Sequence, residues 1–122
     1  MNRYILTEED GVRVLPPCGG EGAMIEVLCG RTMIFFELER LESAGPVQGT
    51  PWRHGTCGAL RFLAPDALLG ARHEVYVPFA HADCAAFAEE LKKYAPEGIF
   101  AAEAEQFVPE TCDHNGKRRS DG

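Results

Sequence analysis

Apolar and polar positions alternate with a period of two along much of this chain, and that alternation predicts a sheet protein. Over residues 23–29, Ile25, Val27 and Cys29 fall on one side and Met24, Glu26 and Leu28 on the other. Residues 74–79 repeat the pattern with Val75, Val77 and Phe79 inward, and residues 59–63 read as a further strand. Residues 99–108 alternate Phe100, Ala102, Ala104 and Val108 against Ile99, Ala101, Glu103, Glu105 and Phe107, which predicts a last strand. Residues 33–42 fit two periods. As a helix they would align Ile34, Leu38 and Leu41; as a strand they align Ile34, Phe36 and Leu38, and the Phe35-Phe36 pair favours the strand. A short helical turn over 39–44 would follow.

The chain opens with two short apolar runs, residues 3–7 and 12–15, around Glu8-Glu9-Asp10-Gly11. Asp-Gly readily supplies the positive φ of a tight turn, so these residues predict a β-hairpin. The period changes only once, at residues 83–95. There Cys84, Phe87, Ala88, Leu91, Tyr94 and Ala95 recur at threes and fours, giving the one main helix, with Asp83 placed to accept its first free amides.

Proline and glycine mark the breaks. Pro16-Pro17 stops a strand, and Cys18-Gly19-Gly20-Glu21-Gly22 is a plain turn. Its glycines resemble a phosphate cradle only superficially, because no Lys-Ser or Lys-Thr follows and Glu21 opposes an anion. Four glycines and two prolines in residues 45–58 predict an irregular stretch. Residues 65–70 read as one helical turn with Gly70 as its stop, and Pro78 suggests an edge strand or a bulge. The fold class expected is α+β: a mostly antiparallel β-sheet of five to seven strands packed by one main α-helix (83–95). Residues 1–108 form the single domain, and 109–122 are expected to be a mobile polar tail.

Composition agrees with one globular domain. The 122 residues are 45% apolar, enough to build a core, and no run of apolar residues is long enough to span a membrane. The first eight residues hold one base and no sustained apolar run, so no secretory signal is expected. Five cysteines, Cys18, Cys29, Cys57, Cys84 and Cys112, are an odd number without a Cys-x-x-Cys pair. They read as free thiols in a reducing cytoplasm, with Cys29 and Cys84 as core filler. Charge changes the picture most. Asp and Glu number 19 against 12 Lys and Arg, a net of −7. Lys117, Arg118 and Arg119 sit at the very end, so the remainder is more acidic still. Such a surface disfavours nucleic acid and anionic membrane as direct ligands and suits a basic protein partner.

Candidate chemistry is sparse. His54, Cys57, Cys112 and His114 form a Cys2His2 set that would let zinc close the long loop against the tail. The alternative use of Cys57 is as a nucleophile, with His54, His73 or His81 as base and Asp66 or Asp83 as orienter. His81 and Cys84 read instead as the start of the helix. Glu37/Glu39 and Glu103/Glu105 are carboxylate pairs on single strand faces, a pattern that a solvated face also provides. Trp52 beside Arg53 is the type of pair that anchors an interface, and equally a lid on the core edge.

With no nucleophile, cofactor loop or metal framework specified, the reading expected is a small cytoplasmic module that acts by contact rather than catalysis and without a cofactor. It would be an inhibitor or modulator docking on the basic groove of a nucleic-acid-handling protein. Glu37, Glu39, Glu103 and Glu105 would steer it and Trp52 and Arg53 would anchor it. The alternatives are a zinc-supported domain or thiol enzyme around His54 and Cys57, and a structural or assembly subunit.

Overall fold

The computed structural model describes residues 1–47, 58–96, 98 and 99. Seven strands lie in two sheets packed against one main helix. In chain order they are β1 (Asn2–Ile5), β2 (Gly11–Leu15), β3 (Met24–Cys29), β4 (Thr32–Glu37), β5 (Ser43–Val47), β6 (Ala59–Pro65) and β7 (Arg72–Pro78), followed by α1 (Cys84–Tyr94). One sheet is an antiparallel meander, β2-β3-β4; the other has the order β1-β7-β6-β5. Among the described residues its only parallel pairing joins β1 to β7.

The alternations at 23–29 and 33–38 hold. Ile25 and Val27 on β3 and Ile34 and Phe36 on β4 are buried, and Leu38 follows them into the core from a 3-10 turn, Leu38–Arg40. Residues 33–37 are therefore strand, and the helical turn is shorter and earlier than 39–44, because Ser43 already begins β5. The stripe of α1 also holds. Cys84, Phe87, Ala88 and Leu91 are buried, α1 packs along β2, and Phe87 meets Phe62 at 5.7 Å between ring centroids. Phe62 in turn meets Phe36 edge to face, 5.3 Å apart, so aromatic contacts run through the core from helix to both sheets.

Four expectations are corrected. Residues 3–15 are not a hairpin: β1 joins the four-stranded sheet and β2 the other one. Gly11 does not have a positive φ, and the turn is closed instead by Asp10, whose carboxylate accepts from the Thr7 amide at 2.8 Å and the Gly30 amide at 3.0 Å. Residues 43–47 are strand despite Gly45 and Pro46. They form the edge of their sheet, where a missing amide donor leaves no neighbour unpaired. Pro78, by contrast, lies on an interior strand. It is the last residue of β7, beyond Val75 and Tyr76 where pairing with β1 ends, so it disrupts no ladder. Asp83 does not cap α1 with its side chain; its carboxylate turns to the Val12 amide at 3.3 Å. The turn at Cys18–Glu21 is as plain as expected, with Gly19 and Gly20 both at positive φ.

The expected strand at 99–108, apart from Ile99, and the tail at 109–122 lie outside the described residues. So does most of the irregular stretch at 45–58. No helix among the described residues is long and apolar enough to cross a membrane.

Candidate functional site: the turn between β6 and β7

The hairpin loop that follows β6 begins with Asp66, and this side chain organises it. One carboxylate oxygen, Oδ1, accepts from three successive backbone amides: Leu68 at 3.0 Å, Leu69 at 2.6 Å and Gly70 at 3.2 Å. A short polar side chain at the head of a turn can do this because its reach matches the amides two to four residues on. Gly70, at φ +76°, allows the chain to reverse, and the Asp66 amide closes the loop on the Ala71 carbonyl at 2.8 Å. The helical turn expected over 65–70 is thus a capped loop, with Pro65 still in β6.

The other carboxylate oxygen, Oδ2, lies 2.8 Å from Nε2 of His73. His73 points inward from β7 between the rings of Tyr4 and Phe36, at 5.5 and 5.6 Å. Its side chain is only 7% exposed, and its second nitrogen, Nδ1, is buried with no hydrogen-bond partner. A carboxylate only accepts, so the ring donates through Nε2–H and leaves Nδ1 without a partner. The Leu69 amide, first, and then the His73 ring hold the Asp66 carboxyl at about 2, well below the usual carboxylate range. The loop also ties the two sheets together. Ala67 donates its amide to the Phe35 carbonyl at 2.7 Å, and Asp66 pairs with Phe36 as an isolated bridge.

What this framework presents is apolar. Leu68 is 88% exposed and Leu69 83% exposed, the two most exposed leucines of the described chain. Beside them, Ala67 helps line a cleft of 490 Å³ whose other walls include Glu21, Glu37, Glu39, Met24 and Tyr94. Among the described residues no lysine or arginine lines that cleft, although Arg40 comes within 3.8 Å of Glu37. The surface therefore joins an apolar tip to an acidic recess.

Of the residues singled out from sequence, Glu37 and Glu39 meet in this cleft. They do not share a strand face, since Glu37 ends β4 and Glu39 lies in the 3-10 turn. Asp66 does orient a histidine, His73. His81 is also engaged, but structurally: Nε2 donates to the Asp10 carbonyl at 3.0 Å, and Nδ1 accepts from the Asp83 amide at 3.0 Å. Cys84 is buried at the head of α1, 3.7 Å from the Val77 carbonyl. Cys18, Cys29 and Cys84 are not in disulfides. Cys29 is only half-buried, and burial together with the Asp10 carboxylate pushes its thiol up. Trp52, Arg53, His54, Cys57, Glu103, Glu105, Cys112 and His114 lie outside the described residues, and with them the zinc set, the thiol site and the aromatic anchor. Among the described residues no group of three or more His, Cys, Asp or Glu side chains is arranged to hold a metal ion.

Leu68 and Leu69 went unremarked in the sequence. Their signal was there: two large apolar residues between Pro65-Asp66 and Gly70, where a turn wants polar ones. Comparison with protein-family models, with curated proteins and with solved structures finds no match to this chain.

Proposed function

We propose that this protein acts by contact, as a small acidic module that binds a cationic surface of another protein. Leu68 and Leu69 are the apolar anchor, and Glu21, Glu37 and Glu39 in the adjoining cleft meet the partner's bases. The observation that carries the reading is the pair of exposed leucines on a loop fastened from within by Asp66. A soluble domain gains nothing in its own stability from two leucines in water, whereas a preorganised apolar tip lowers the ordering cost of binding. A second copy of the chain is disfavoured as the occupant, because two bodies of net charge −7 repel. A basic partner is attracted by the same charge. Grooves that hold nucleic acid have that character, so an inhibitor or modulator of a cytoplasmic nucleic-acid-handling protein fits this chemistry.

The test uses two synthetic peptides of equal positive charge, an amphipathic lysine–leucine peptide and a lysine–serine peptide. The first should bind more tightly, and replacing both leucines (L68S with L69S) should remove that advantage. Exchanging the cleft acids (E37Q with E39Q) should instead slow association, with the difference shrinking as salt rises. Equal binding of both peptides, unchanged by the leucine substitutions, would reduce the attraction to general charge and end the proposal.

A further inference from the structure

The geometry points to Asp66 and His73 as a positioning pair whose role is to hold Leu68 and Leu69 in their displayed conformation; this rests on the docking reading above. Two features at this loop work against stability. Leucines are left in water, and a ring nitrogen is left in the interior without a partner. Buried polar atoms are nearly always paired, so an orphan calls for a reason. Packing alone does not supply one, since a phenylalanine at position 73 would fill the space between Tyr4 and Phe36 without the orphan. The one hydrogen bond the imidazole makes is to Asp66 Oδ2. Asp66 in turn spends its other oxygen on the amides of Leu68, Leu69 and Gly70. The chain of contacts thus runs from an interior strand, through one donor and one carboxylate, to the residues on display. With Oδ2 held by the ring, the carboxylate cannot rotate, and Oδ1 stays aimed at the three amides. Without that donor, the same carboxylate is free to turn toward water and release the tip.

The experiment is residue-resolved amide hydrogen exchange on the full chain, paired with binding of the lysine–leucine peptide. In H73F, exchange at Leu68, Leu69 and Gly70 should accelerate by about tenfold or more, while the amides of Val75 and Val77 stay protected. Peptide affinity should fall in the same variant. Glutamine can reach Asp66 with its own N–H, so H73Q should recover both readouts; a residue that only fills space would not be rescued this way. If H73F proves unfolded, D66A serves, because it removes the acceptor of the loop amides and the partner of the ring together. Unchanged exchange at residues 68–70 would overturn the positioning role whatever the peptide does. Faster exchange with full peptide affinity, alongside loss of affinity in L68S with L69S, would also overturn it and leave docking intact. Faster exchange, rescued by H73Q, in a protein whose leucine variants bind normally would keep the latch and discard the docking reading.

Discussion

Two aspartate–histidine junctions hold this fold together, and they are built to different standards. At the first, Asp10 gathers the amides of Thr7 and Gly30, and its carbonyl takes Nε2 of His81. The second nitrogen of His81 accepts from the Asp83 amide, so both ring nitrogens are used, and the loop around Asp10 carries polar residues into solvent. At the second, Asp66 gathers three amides and takes Nε2 of His73, but Nδ1 is left over and the loop carries leucines. The first junction is what a fold needs to pin β1, β2 and the start of α1 together. The second satisfies the same mechanical task and adds two unfavourable features that the task does not require. Rules kept at one junction and broken at the other are what the proposed docking role of the second would account for.

The widest expected gap is between a leucine in the core and those at the tip. Leu91, fully buried on α1, should cost about 2–5 kcal/mol when cut to alanine, measured by denaturant unfolding. A cost near zero would mean that α1 does not seal the core, and the contrast with Leu68 and Leu69 would lose its meaning.

The histidines provide the next separation. His81→Phe strands the Asp83 amide and the Asp10 carbonyl, which should cost about 2–4 kcal/mol in the same measurement. His73→Phe loses one bond to Asp66 but also removes the orphan nitrogen, and should cost under about 1 kcal/mol. Equal costs would erase the distinction between the junctions.

How much of this was legible in advance depends on how far each interaction reaches. Alternation located β3, β4 and β7, the apolar run at 59–63 located β6, and the stripe located α1, because those signals lie within a few residues of one another. The opening hairpin failed for the opposite reason. Asp10-Gly11 has the local chemistry of a tight turn, but Asp10 is committed to Gly30, and β1 to residues 73–76. Asp66 and His73 were readable as residue types suited to an orienter and a base. Their pairing was not, since it depends on a hairpin whose loop begins in the residue after Pro65. The orphaned Nδ1 is invisible to any pattern, because it is a fact about what surrounds a ring.

Acid should distinguish the two loops more gently. The Asp66 carboxyl is depressed to about 2 in the folded chain, so its contribution is complete above the ordinary carboxylate range and is lost as pH falls toward 2. Unfolding of the parent should therefore weaken between about pH 4 and pH 2 more steeply than that of D66N, which carries no such group. Parallel curves would show that the carboxylate does not grip its loop. Smallest of all, Leu68→Ser and Leu69→Ser should each move stability by no more than about 0.5 kcal/mol, as exposed positions do. A larger loss would return those side chains to the fold and remove the reason for assigning them a partner.

The parallel union of β1 with β7 also sets a timetable. Residues 2–5 leave the ribosome some seventy positions before the strand that completes them, residues 73–76. At the usual pace of about 5–20 residues per second, the first strand waits several seconds with its amides and carbonyls open. The meander β2-β3-β4 is under no such delay, since each of its strands meets its neighbour across a short connection. Assembly should therefore begin with the three-stranded sheet and end by drawing the N-terminal strand in beside β7. That late step makes β1 the segment most open to capture by a chaperone, or to exchange between two newly made chains.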